Sequence, residues 1–385
     1  ELHMVKCGVC TATGDLDGAI AHLGESVQLG RDLDAEEPLL FGLAHSANTL
    51  TFLARLEEAK NTAQEAYQKA EQLGNRRYLS ELQTFPIAYH LICAGDLAAA
   101  RQTAKEGLEL AAQIGFDVGL WQGNYVLGQI SQMQGDYQRA LNYLHTALEI
   151  GQADGMAYPL MLPMSMLGTI YMEINEKLLD QSIDYQNRVI TLAEQPSGKA
   201  WGSSAWLELG FCYLAIGELD RADEYFHNGL SKHSTMMHLL RPKLLVGAAN
   251  VALAKSDFDL ATKRIQEART YAEERGMHDQ YPLIAFTNAK FQTSRGKLDL
   301  ALEQFNLAET LAQEMNMRPL VWQARAAAGQ ILSEFGRKSE ADLKRRQAQV
   351  IIEEMGSLIE DETLRSQFLE SASKKTWGTA LGIAG

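Results

Sequence analysis

A turn-like signature recurs along this chain at an almost constant interval. It reads "GDLDGA" from Gly14, "ARLEEA" from Ala54, "GDLAAA" from Gly95, "GDYQRA" from Gly135 and "KLLDQS" from Lys177. It continues as "GELDRA" from Gly217, "SDFDLA" from Ser256, "GKLDLA" from Gly296 and "GRKSEA" from Gly336. Successive starts lie 40, 41, 40, 42, 40, 39, 40 and 40 residues apart. A fixed period of this size marks a stacked-repeat architecture, in which one supersecondary unit can bury its apolar face only against the next. The 385 residues hold only 8 prolines and no Pro/Gly/Ser-rich divider, so they read as one elongated array and not as separate globular domains.

Each unit reads as two helices. After the turn, small or apolar residues return at helical spacing, as in Ala140, Leu141, Leu144, Ala147 and Leu148. This half closes on Gly or Asn followed by a hydrophobe (Gly115-Phe116, Gly155-Met156, Gly276-Met277, Asn316-Met317), the pattern of a left-handed C-cap with an apolar contact behind it. The half before the turn, such as "WGSSAWLELGFCYLAIG" from Trp201 to Gly217, is apolar on nearly every side, as a helix covered by neighbours must be. Gly128, Gly168 and Gly210 are expected to let this first helix approach the second at Ala140, Ser182 and Ala222. The longest interval, 42 residues, predicts an irregular turn near Asn175 to Asp180.

Trp206, Leu209, Gly210 and Tyr213, followed by Ala222 and Phe226, match the tetratricopeptide pattern W-x2-L-G-x2-Y…A-x3-F. Leu127, Gly128 and Ala140 repeat part of it, as do Leu167, Gly168 and Tyr171, and Ala301 with Phe305. The chain therefore resembles the tetratricopeptide repeat proteins. The resemblance implies an all-α, right-handed superhelical solenoid of about nine helix-turn-helix repeats, with the first helix of each unit lining a concave groove. Two features depart from the pattern: the period is near 40 and not about 34, and the helix-ending proline is missing. Long repeats of this kind resemble the C-terminal regions of bacterial maltose-regulator-like activators and signal-transduction ATPase or cyclase-associated regulators. The expected division is a repeat array over 1–356 with its first unit truncated, a capping helix over 357–373 and a flexible tail over 374–385.

The chemistry-bearing motifs are few. "CGVC" (Cys7 to Cys10) has no second ligand pair, and the repeat register places Cys7 and Cys10 in the packing seam between helices. No H-E-x-x-H and no phosphate-binding G-x-x-x-x-G-K-[ST] occurs, and the glycine-rich Gly378 to Gly385 follows no strand. Neither cofactor, metal nor catalytic residue is expected. A net charge of −14 argues against direct binding to a nucleic-acid backbone, and no stretch of 18 or more apolar residues offers a membrane span. Four scattered cysteines and the lack of a leader segment point to a cytoplasmic setting.

What remains is surface. Mapping the groove-facing positions of the repeat gives Tyr89, Gln122, Tyr125, Gln129, Phe211, Asn250 and Lys290 as candidate binding residues, with Gln132, Thr169, Glu173 and Lys243 among further ones. Aromatics interleaved with amides suit a protein or peptide partner, and the charge balance favours a neutral or basic one. The expectation is a non-catalytic protein- or peptide-binding scaffold, a fragment of a larger bacterial regulatory protein. The alternative is an effector-sensing domain that binds a small polar ligand in the groove and regulates an N-terminal ATPase, cyclase or transcription-factor domain.

Overall fold

The computed structural model describes residues 6–10, 15–154, 157–195, 198, 201–231 and 238–377. Among them the chain is a succession of 19 α-helices joined by short turns, with no strand. The first unit is described from residues 6–10 and the helix Leu16–Asp32, and eight full helix hairpins follow, from Glu36–Phe52 with Leu56–Gln72 to Arg318–Glu334 with Lys338–Ser357.

The recurring signature is explained by its turn. The first residue takes a left-handed conformation at Ala54, Gly95, Gly135, Gly217, Ser256, Gly296 and Gly336. The next residue, where it is Asp, caps the second helix: Asp96 accepts from the Ala99 N–H and Asp257 from the Leu260 N–H. The sixth residue (Ala19, Ala59, Ala100, Ala140, Ser182, Ala222, Ala261, Ala301 or Ala341) has at most 1% of its surface exposed in every unit. Left-handed caps occur at Gly115, Gly276 and Asn316, while Gly155-Met156 lies outside the described residues.

Close helix approach depends on glycine: a Cβ on Gly128 or Gly168 would lie 3.6 Å from the Ala140 carbonyl oxygen or 3.2 Å from that of Ser182, as expected, and nearer still to a side chain further along the second helix. A Cβ on Gly128, Gly168 or Gly210 would meet Leu144, Gln186 or Phe226, one helical turn beyond the small residues. Phe226 is gripped from two sides, because a Cβ on Gly247 of the next unit would also fall 2.2 Å from its ring. In the fifth unit a 3-10 turn, Glu176–Leu178, stands where the irregularity was expected, with Asn175 accepting from the Lys177 N–H. The third unit holds a deviation that the repeat pattern did not signal. Its first helix loosens to a π turn over Gln83–Ile87 around Pro86, which has no N–H to give an α-helical bond.

The superhelix closes on itself, so that early units rest on late ones. A Cβ on Gly95 would lie 2.9 Å from the Met315 ε-methyl, and one on Gly135 would lie 2.7 Å from that of Met355. The equivalent Gly217, Gly296 and Gly336 have nothing within 4 Å. Along the same seam the Phe52 and Trp201 rings meet edge-on at 5.0 Å, and Tyr137 meets Phe368 at 5.7 Å. Arg318 Nε donates to the Gln134 carbonyl at 2.6 Å, and Asn175 Nδ2 to the Gln367 carbonyl at 2.8 Å. One continuous apolar core runs from Phe85 through Trp201 to Ile352 as a result. The closing helix spans Glu362–Trp377, so Lys374 to Trp377 continue the helix, correcting a tail that was expected to begin at 374; residues 378–385 lie outside the described residues.

Gly135→Ala and Gly217→Ala should separate turn strain from seam packing. Both place a Cβ on a left-handed residue, but only Gly135→Ala also presses on Met355. Gly135→Ala is expected to lose about 1 kcal/mol more stability than Gly217→Ala, read from urea unfolding midpoints; equal losses would show the seam to be slack at that point.

Candidate binding site in the interior of the superhelix

Seven residues were expected to face the concave groove, and the structure divides them. Tyr89, Tyr125 and Gln129 come together: the Tyr89 hydroxyl donates to Gln129 Oε1 and is also hydrogen-bonded to Tyr125. Both rings are buried, Tyr89 against Phe85 and Tyr125 stacked on Trp121, so they fill the space between units instead of offering an open aromatic surface. Burial pushes both phenols above their ordinary range. Gln122 is buried and accepts from Thr84 Oγ1 at 3.1 Å, pinning the third unit to the fourth. Phe211 packs edge-on against Phe226 inside its own hairpin. Asn250 Nδ2 donates to the Val246 carbonyl of its own helix, leaving its Oδ1 without a partner. Lys290 lies in the eighth unit, where burial alone lowers the pKa of its ammonium.

A different constellation occupies the centre. Glu173 from the end of Tyr158–Ile174 and Glu208 from Ser203–Ala215 lie within each other's electrostatic reach. Lys243 near the start of Arg241–Ala254 attracts both, and attracts Asp279 at the start of the eighth unit as well. Gln132 Nε2 donates to Glu173 Oε1 at 2.6 Å, and the Tyr137 hydroxyl bonds to the same carboxyl. The Thr169 hydroxyl, which donates to the Ser165 carbonyl at 3.1 Å, also lies beside Glu208 and favours its charged form. Cys93, at the end of the third unit's first helix, feels both Asp279 and Lys243, so the cluster sits where early and late units face each other.

Three carboxyls share one ammonium in a desolvated place, and the cost of charging them shows. Burial, aided for Glu173 by the neighbouring Glu208, pushes Glu173 and Glu208 up to about 7, and burial pushes Asp279 up to about 7. Their hydrogen-bonding capacity is also unfilled. Glu173 Oε2, Asp279 Oδ1 and Gln280 Oε1 are buried without a partner, although Asp279 and Gln280 are only 7% and 5% exposed. Unsatisfied buried acceptors are uncommon, and several at one place ask for a donor from outside the chain. Among the described residues no group of three His, Cys, Asp or Glu side chains is arranged to hold a metal ion. Cys7 of the CGVC motif packs with Ala19 and Leu23.

Glu173, Lys243, Gln132 and Thr169 were among the wider set of groove positions, whereas Glu208, Asp279, Gln280 and Tyr137 were not. Glu208 carried a signal: it is the lone carboxylate inside the apolar run "SSAWLELGFCYLA". Asp279 carried none, since an acid just ahead of a helix start is ordinary in sequence.

Comparison with known proteins bears on the architecture. No protein-family model matches the chain, and no curated protein sequence does. Among solved structures, a Rap protein complexed with competence and sporulation factor superposes with a TM-score of 0.67 at 12% identity, covering 93% of this chain and 99% of that one. The fold is that of the tetratricopeptide-like helical solenoids. The apo form of the quorum sensor NprR from B. thuringiensis is a second likeness, with a TM-score of 0.51 and 11% identity, covering 91% of this chain and 97% of that one. No helix among the described residues is long and apolar enough to cross a membrane.

The carboxyl cluster makes stability depend on pH with a definite sign. Raised native pKa values mean that the folded chain keeps protons which the unfolded chain has released, so stability falls as pH rises from about 4 to about 7 and then levels. The double variant Glu173→Gln, Glu208→Gln should flatten that slope relative to the parent in melting temperatures taken from pH 4.5 to 8. A parallel pair of curves would place the titrating groups elsewhere.

Proposed function

We propose that this chain is a non-catalytic binding scaffold that takes a short peptide segment into the interior of its superhelix. The recognised feature is a cationic group, an ammonium or guanidinium, seated among Glu173, Glu208 and Asp279. The observation that carries this reading is the set of buried acceptors without donors in a carboxyl-rich centre. A cationic group supplies the missing donors and draws the carboxyls into their charged form, so each partner repairs the other's desolvation. Likeness of fold to a Rap protein complexed with competence and sporulation factor, and to a quorum sensor, supports a role in receiving a signal molecule. A regulatory output through a domain outside this sequence accords with that role.

The test is a panel of unblocked synthetic hexapeptides graded in Lys, Arg, Asp and Glu content, screened by thermal shift and followed by titration calorimetry. Basic peptides should bind best, and Glu208→Gln should weaken them at least about tenfold. Binding should take protons off the protein near pH 7, seen as a buffer-dependent heat. Equal binding of acidic and basic peptides, or binding of neither, would overturn the proposal.

A further inference from the structure

A second group of charges lies on the seam, with Tyr137 between it and the carboxyl cluster, and has the opposite balance. Arg101 from the second helix of the third unit (Leu97–Ile114) donates through Nη2 to Gln134 Oε1. Arg318, the first residue of Arg318–Glu334, donates through Nε to the backbone carbonyl of the same glutamine at 2.6 Å. Two guanidiniums from units far apart in sequence thus converge on one neutral residue. Arg139 is the third, and it pairs with Asp136 at 3.2 Å. Asp136 is already committed twice, because its Oδ1 also accepts from the Arg139 backbone N–H as a helix cap.

The charges do not balance. Around Arg101 stand Arg139, Arg318, the Tyr143 phenol and one carboxylate, Asp136. Burial first, and then the neighbouring Arg139 and Arg318, hold the Arg101 guanidinium below its ordinary range. A guanidinium has five N–H donors, and Arg101 and Arg318 each spend one here on an uncharged acceptor. In a chain with a net charge of −14, carboxylates are the commoner charge, yet among the described residues neither of these two arginines forms an ion pair, and Asp136 beside them is paired with Arg139. Cationic forks with spare donors, half out of water, match the geometry of an oxyanion.

We propose that Arg101, Arg139 and Arg318 form a binding site for a small tetrahedral oxyanion of the phosphate class, bridging the third, fourth and ninth units. An anion there would tie Arg318 to Arg101 across the seam and stabilise the closed superhelix. The site shares no residue with the peptide proposal, although Tyr137 stands within electrostatic reach of both Glu173 and Arg318.

The experiment measures thermal unfolding of the full chain in inorganic phosphate, in glycerol 3-phosphate and in chloride at matched ionic strength, with calorimetric titration of each phosphate compound. At a phosphate concentration tenfold above its Kd, the melting temperature should rise by on the order of 2 °C over chloride. Arg101→Gln should lose most of that rise and weaken phosphate binding about tenfold or more, while Arg101→Lys, which keeps the charge but not the fork, should lose only part. A response to glycerol 3-phosphate equal to that for inorganic phosphate would assign an open site that accepts monoesters, and a response to inorganic phosphate alone would assign an enclosed one. No shift in the parent chain overturns the proposal. So does an equal shift in parent and Arg101→Gln, which is the general salting effect of phosphate on any folded surface.

Discussion

Contact between successive turns of the superhelix governs the rest of this structure. An open solenoid is held unit by unit, and its stability is close to a sum over neighbours. Here Gly95 and Gly135 leave room for Met315 and Met355, and Phe52 and Trp201 close a further point. The third and fourth units are thereby fastened to the eighth and ninth. Left-handed glycine serves two ends at these turns: it permits the tight reversal between helices, and its missing side chain admits the methionine.

Closure also creates the electrostatics of the centre. In an open groove, Glu173, Glu208 and Asp279 would be hydrated and ionised, and Lys243 would be one surface charge among many. Folding the late units under the early ones removes water from the three carboxyls. The carboxyls then rise towards neutrality, and their oxygens are left short of donors. The interior is consequently polar and incompletely satisfied, while the layers around it (Phe85, Tyr89, Trp121 and Tyr125) are well packed. This contrast between a satisfied wall and an unsatisfied centre is the ground on which a partner is proposed there.

Local order was written plainly in the sequence, whereas the arrangement between turns was not. The 40-residue period, the Gly-Asp turn and the buried Ala at its sixth position each reflect forces acting within one hairpin, and such forces leave a periodic trace. The seam joins Gly95 to Met315 and Gly135 to Met355, both 220 residues apart, but Asn175 to Gln367 and Gln134 to Arg318 at other separations, and nothing within one hairpin announces which distant unit will meet it. For that reason Tyr89, Tyr125 and Gln122, assigned to a groove by their place in the unit, proved to be packing and pinning groups. Asp279 became interesting only through Lys243 and Cys93, which reach it from other units.

The seam carries a consequence for how the chain reaches its native state. Hairpins such as Tyr137–Asp154 with its neighbours can form from contacts a few tens of residues apart, which is fast. The bonds from Arg318 to Gln134 and from Asn175 to Gln367 join residues 184 and 192 positions apart. Closing so long a loop costs entropy that must be met before any seam contact rewards it. The helical array is therefore built first and fastened last, because the ninth unit and the closing helix Glu362–Trp377 leave the ribosome after the units they fasten. Until that segment emerges, the fourth and fifth units have their inner faces open to water, and the young chain is a spring that has not yet been wound.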